Sequence, residues 1–248
     1  MINKIFNIKK KKIVITGSNG YLGSFLVKKL KNLGCAVIEI DIQKKNKVNY
    51  YNCNLTSEKE VKNTLNLIIK KHTKIDVLIN NAAFSPFEHF TLRKEVNFDK
   101  TINVNLKGPF FLIKNLALLK NANHKLKIIN ISSIYGLISP NKSIYDKNTK
   151  RHNSEVYGAS KAGLLQMSRY FSTHLNQYNM TINSISPGGI LNRNHQHKNF
   201  ISKYSKLNPM NRMALREDIL GAVIFLSTKA SDYVNGQNII IDGGMSAW

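Results

Sequence analysis

The chain has 248 residues, with 37 Lys and Arg against 14 Asp and Glu and a formal net charge of +23. The length suits one doubly wound α/β domain and forces no second one. Such a charge attracts polyanions, yet it is spread along the chain with no aromatic-plus-basic recognition motif and no zinc-ligand spacing, which argues against a dedicated nucleic-acid binder.

Residues 1–11 read as a basic N-terminal extension. The Lys9-Lys10-Lys11-Lys12 run has no apolar h-region or small-residue cleavage site behind it, and no other segment is long and uncharged enough to cross a membrane. A cytoplasmic protein is expected, with Cys35 and Cys53 as reduced, buried thiols.

The first strand is expected at 12–16, where a β-branched run stops at glycine. Gly17-Ser18-Asn19-Gly20-Tyr21-Leu22-Gly23 follows, then an apolar-periodic helix through Phe25, Leu26, Leu30 and Leu33, closed by Gly34. Strand, glycine loop and helix make a phosphate-binding context, because glycines let the backbone approach a pyrophosphate and the helix start offers free N–H groups. A second strand at 36–40 ends at Asp41, 24 positions beyond Gly17. A carboxylate at that tip accepts hydrogen bonds from an adenosine ribose and repels a 2′-phosphate, so NAD is expected over NADP. Lys44 and Lys45 just downstream are cations that could accommodate a phosphate instead.

A third strand is expected over 50–55, with Thr56 or Ser57 capping a helix whose first turn carries Glu58 and Glu60. A fourth strand at 75–79 ends in Asn80-Asn81-Ala82-Ala83, small and amide side chains suited to contact a ligand in the crevice. Residues 84–93 read as a loop. A helix over 97–121 is interrupted by Asn103, Asn105, Gly108 and Pro109, costly residues there that suggest a polar role for one of them. Strands at 127–131, 181–186 and 238–241 and a helix over 217–228 complete an alternation that predicts a single-domain, Rossmann-type parallel sheet of about seven strands with helices on both faces.

The fifth strand closes on Ser132-Ser133, and a helix beginning near Ser154 carries Tyr157 and Lys161. Spaced by four, these two share one helix face about 6 Å apart along the axis. A phenol is a poor base at neutral pH, and a nearby ammonium lowers its pKa.

Together the Thr16-Gly17 loop, Asp41, Asn80-Asn81-Ala82, Asn105, Ser132-Ser133, Tyr157/Lys161, Pro187-Gly188 and Asp242-Gly243-Gly244 resemble the short-chain dehydrogenase/reductase family from Ile13 to Gly244. The resemblance implies that Tyr157 transfers the proton while NAD takes or gives the hydride, that Lys161 lowers the Tyr pKa and holds the nicotinamide ribose, and that Ser133 hydrogen-bonds the reacting oxygen. Asn105 would anchor a water that relays protons from Lys161, and Ser132 would be structural. It implies cofactor contacts from Gly17, Ser18, Asn19, Gly20, Tyr21, Leu22, Asp41, Ile42, Asn54, Leu55, Asn81, Ala82, Ala83, Tyr157, Lys161, Pro187, Gly188, Ile190 and Asn192, and a homodimer or homotetramer.

This sequence departs from the family pattern in four places. The glycine spacing is that of the family's longer, sugar-nucleotide branch; Asn54 stands where an adenine-binding Asp is usual; Asn192 replaces a Thr; and 24 positions separate Ser133 from Tyr157, more than is usual. The enlarged region, 138–153, carries Lys142, Lys147, Lys150, Arg151 and His152 against Asp146, and a second segment, within 190–210, carries Arg193, His195, His197, Lys198, Lys203 and Lys206. Both are expected as substrate loops at strand carboxyl ends, where cations suit an anionic substrate. His195-Gln196-His197 lacks an evident third ligand, so no metal is expected.

The Ser133-flanking segment, the insertion and the run after Ser186 are similar to flagellin-modification protein A-type oxidoreductases, associated with surface-sugar biosynthesis. The expected activity is NAD(H)-dependent interconversion of an alcohol and a carbonyl on an anionic, sugar-derived molecule. The alternatives are a 3-oxoacyl-carrier-protein reductase, a nucleic-acid binder, and a non-catalytic cofactor-sensing protein.

Overall fold

The computed structural model describes residues 2–119, 124–145 and 152–247. Seven parallel strands, β1 (Lys12–Thr16), β2 (Ala36–Asp41), β3 (Tyr50–Asn52), β4 (Val77–Asn80), β5 (Leu126–Ile131), β6 (Met180–Pro187) and β7 (Asn238–Ile241), form one sheet in the order β3-β2-β1-β4-β5-β6-β7. The order reverses between β1 and β4, which opens a crevice at the carboxyl ends of those strands, where Gly17 and Asn81 lie.

β1, β4, β5 and β6 are buried almost throughout, as strands covered on both faces must be, and β1, β4 and β5 are rich in Ile, Val and Leu. One face packs Val14, Ile38, Leu78, Ile128 and Ile182 against α3 (Glu58–His72) and α5 (Gly108–Leu119). The other packs Ile13, Ile15, Val37, Ile79 and Ile185 against α2 (Tyr21–Asn32) and α8 (Arg216–Ser227). Ile8, after the short α1 (Ile2–Ile5), is buried in this second core, and its carbonyl accepts from Cys35 Sγ, so the basic extension is anchored at its end.

Three expectations shift in detail. The third strand stops at Asn52 because Asn54 Oδ1 accepts from the Thr56 N–H and hydroxyl, turning the chain toward Ser57, whose hydroxyl caps α3. The interrupted helix is continuous through α4 (Glu95–Ile102), a wide turn over Asn103–Lys107, and α5. There the Gly108 N–H reaches back five residues to the Asn103 carbonyl, the π-type pattern that inserts one residue into a helix. The end of that helix near Asn121 lies outside the described residues. The 190–210 segment, expected as a loop, contains α7 (Lys198–Leu207), which buries Tyr204.

No helix among the described residues is long and apolar enough to cross a membrane.

Candidate active site

Ser154 caps α6 (Glu155–His174), its hydroxyl accepting from the Tyr157 N–H at 3.3 Å, and so fixes where the helix begins. Tyr157 and Lys161 then project from one face into a cavity of about 400 Å³ at the carboxyl ends of β4, β5 and β6. Ser133 lines the same cavity, is hydrogen-bonded to the Tyr157 side chain, and accepts the Tyr135 N–H at 3.1 Å. Ser132 instead donates to the Lys161 carbonyl at 3.0 Å and ties β5 to α6, the structural part expected of it.

Lys161 is 2 % exposed; its Nζ donates to the Ile131 carbonyl at 2.7 Å and lies 5.6 Å from the Tyr157 ring centre. Burial pushes its pKa down to about 8. Burial also pushes the Tyr157 phenol above its ordinary value, with the Ser133 hydrogen bond pulling partly the other way. This corrects the expected direction: desolvation outweighs any help from the ammonium, so the protein alone holds Tyr157 as a proton donor.

Because the Lys161 pKa is lower folded than unfolded, the unfolded chain binds more protons between pH 8 and 10.5, and the stability deficit carried by this ammonium fades as pH rises through that window. At about 1.4 kcal/mol per pKa unit, the stability of wild type relative to Lys161→Met should rise by up to about 3 kcal/mol across it. Denaturant melts of both proteins check this, and a pH-independent gap refutes it.

Asn105, fully buried in the wide turn, does not line the cavity. Its Oδ1 accepts from the Phe84 N–H at 2.8 Å, and its Nδ2 donates to the Phe84 carbonyl and to Ser160 Oγ. The side chain therefore staples the exit of β4 to α6. Arg93, only 6 % exposed, does the same further along: it pairs with Glu88 and with Glu155, two residues before Tyr157, and donates to the Glu88 carbonyl.

Most of the residues expected at the cofactor fall into two groups. Leu22, Asn81, Ala83, Pro187, Gly188 and Ile190 line the cavity with Ser133, Tyr157 and Lys161. Gly17, Ser18, Asn19, Gly20, Tyr21, Asp41 and Ile42 lie outside it, on and around the loop between β1 and α2 and at the tip of β2. Gly17 has φ +62°, and a Cβ there would lie 2.7 Å from the Ala82 backbone; at Gly23 a Cβ would lie 2.1 Å from the Gly17 carbonyl oxygen. Ser18 Oγ is buried and has no hydrogen-bond partner among the described residues. A bare glycine cradle beside an orphaned hydroxyl at the start of a helix fits a dinucleotide pyrophosphate.

Asp41 Oδ2 accepts from the Asn19 N–H at 2.9 Å and Oδ1 from the Gln43 N–H at 3.1 Å, which fixes the carboxylate at the end of β2. Lys45 is close by, donating to Asn19 Oδ1 at 2.6 Å. Four of the expected residues have other engagements. Tyr21 donates its hydroxyl to the Leu191 carbonyl, Asn54 holds the turn to Thr56, Leu55 packs on Gly108, and the Asn192 N–H donates to Gln196. Ala82 gives its N–H to Thr16 Oγ1.

The charged and histidine side chains of the two loops mostly stay out of the cavity. His195 and His197 line it, whereas Arg193, Lys198 and Lys206 are exposed and outside it, and Asp146, Lys147, Lys150 and Arg151 lie outside the described residues. What sequence reasoning missed is aromatic: Tyr135, Tyr145, Phe200 and Tyr204 form much of the wall. The one available signal was the Phe200, Tyr204, Leu207 spacing, which is helical.

This chain belongs to the short-chain dehydrogenase/reductase family of oxidoreductases: the family model described as enoyl-(acyl carrier protein) reductase matches residues 22–246. Among similar proteins, a 3-oxoacyl-(acyl-carrier-protein) reductase of Rickettsia conorii is 31% identical over 97% of this chain and 99% of its own. A 2-dehydro-3-deoxy-D-gluconate 5-dehydrogenase of Dickeya dadantii is 30% identical over the whole of both chains. The crystal structure of a short chain dehydrogenase from Leptospira borgpetersenii with bound NAD+ superposes with a TM-score of 0.88 at 33% identity, covering 96% of this chain and 93% of that one.

Proposed function

We propose that the enzyme interconverts an alcohol and a carbonyl on a compact, anionic, sugar-derived molecule with NAD(H). One observation carries the substrate reading: no carboxylate lines the cavity among the described residues, while the Lys161 ammonium and the His195 and His197 rings do, so a negative charge meets one cation, two further polar rings and no like charge. Ser85 adds support, since it lines the cavity and its buried hydroxyl has no partner among the described residues, leaving a donor for a sugar hydroxyl. The Dickeya relative's name, a dehydrogenase of a sugar acid, agrees with this, as does the similarity of the insertion to surface-sugar enzymes.

The bound cofactor supplies the hydride acceptor or donor. In the reading proposed here, Ser133 orients the reacting oxygen, Tyr157 gives or takes its proton, and Lys161 holds the nicotinamide ribose. Asn105 positions the wall that faces them and anchors the proton-relay water. Residues 138–153 and 190–210 are the substrate loops. The reading extends to a cytoplasmic homo-oligomer, with Val96, Leu118 and Tyr170 as exposed apolar side chains on α4, α5 and α6 available for assembly.

NAD over NADP rests on the fixed Asp41 carboxylate. NADH should bind at least about tenfold more tightly than NADPH in a fluorescence titration, a difference near 1.4 kcal/mol, and Asp41→Ser should narrow it. Tighter NADPH binding by wild type would overturn the preference. A screen of sugar acids and phosphorylated sugars for NAD-dependent absorbance change tests the substrate class.

A second reading, a 3-oxoacyl-(acyl-carrier-protein) reductase, is favoured by the name of the Rickettsia relative. An excess of turnover on acyl-carrier thioesters over sugar acids, with NADPH, would establish it instead.

A further inference from the structure

One wall of the cavity belongs to neither core of the sheet. Ile134, Ile144, Tyr204, Met213 and Met245 form a separate buried cluster, and Tyr145 and Phe200 pack against it. The wall is assembled where the insertion after β5 meets α7. Tyr145 stands at this junction. Its ring centre lies 5.8 Å from that of Phe200 on α7 and 5.2 Å from that of His152 at the far end of the insertion. Its hydroxyl accepts the Asn153 N–H at 3.2 Å and is hydrogen-bonded to the Tyr135 side chain. Held at both its ring and its hydroxyl, Tyr145 cannot turn aside without losing contacts on three segments, and packed interiors resist such displacement. It lines the same cavity as Ser133 and Tyr157.

We propose that Tyr145 is a specificity-determining residue that limits how far a substrate can extend from the reacting oxygen. This rests on the oxidoreductase reading of the site. The whole cavity that this ring lines measures roughly 400 Å³ and is lined as well by residues expected at the cofactor, which leaves room for a molecule of a few carbons and their hydroxyls; in the proposal a longer acyl chain runs against the ring. The residue has no counterpart in the charge argument, since it selects by length and not by sign.

The test compares ethyl 3-oxobutanoate with ethyl 3-oxodecanoate as carbonyl probes, reading kcat/KM from NADH oxidation. Wild type should favour the short ester by at least about tenfold, the scale on which a hydrophobic pocket rejects added methylenes. Tyr145→Ala should raise the long-to-short ratio about tenfold, and Phe200→Ala, which opens the same wall from α7, should move it the same way should the first variant fold poorly. Tyr145→Phe keeps the ring and should hold the wild-type ratio. A wild-type ratio near one, or a ratio unchanged in both alanine variants, overturns the length limit alone. NADH binding without turnover of either ester by any of these proteins counts against carbonyl reduction itself and the length limit with it.

Discussion

Tyr157→Phe should lower kcat by about 10²- to 10⁴-fold, the usual worth of a positioned general acid or base, while the NADH dissociation constant stays within about twofold. The ring beside Lys161 is kept; what is lost is the one proton that Ser133 helps to aim. The pH profile separates this from simple damage. Burial holds the phenol above its ordinary pKa, so the neutral, proton-donating form dominates at pH 7 and the basic form needed to oxidise an alcohol grows only on the alkaline side. Wild-type oxidation should therefore climb with rising pH, and the residual oxidation by Tyr157→Phe should lose that climb. Wild-type turnover in the variant would sink the assignment.

Gly23→Ala should abolish dinucleotide binding and lower stability by about 3 kcal/mol, at the upper end of overpacking costs. Alanine is ordinarily the better helix former, so propensity alone predicts a gain from this change. The backbone reverses it: the new methyl would sit 2.1 Å from the Gly17 carbonyl oxygen and 2.8 Å from Asn81 Nδ2. Asn81 donates through that nitrogen to the Thr16 and Gly17 carbonyls at 2.9 and 3.1 Å, so the clash displaces the tie between β1 and β4 together with the cradle. Urea melts and an NADH titration read the two effects, and a variant with unchanged stability and affinity would show that the loop can retreat.

Most of the sheet is legible in the sequence because buried parallel strands announce themselves as β-branched runs stopped by glycine or asparagine, as at Ile15-Thr16-Gly17 and Ile79-Asn80-Asn81. The proton-transfer residues are legible for a different reason: Tyr157 and Lys161 share one helix, and their spacing is local. The wall is not local. Tyr145 meets Phe200 across 55 positions of chain, and no periodicity within either segment tells that they touch. α7 was obscured because Phe200, Tyr204 and Leu207 are interspersed with Ser202, Lys203, Ser205 and Lys206, which read as loop. The direction of the Tyr157 shift was also out of reach, since a neighbouring cation can be read from spacing and the loss of surrounding water cannot.

The wide turn over Asn103–Lys107 fixes the length of this part of the chain. It accommodates one more residue than a regular helix would, and each residue of an α-helix turns the chain by about 100°. Dropping a residue there would restore an ordinary helix, yet it would swing α4 by roughly that angle against α5. Asn97 would leave Glu88, Thr101 would leave the interior, and Asn105 could not reach both Phe84 and Ser160. The helix that looks irregular is thus in phase only because of its irregularity, and a change of length is least tolerable at this turn.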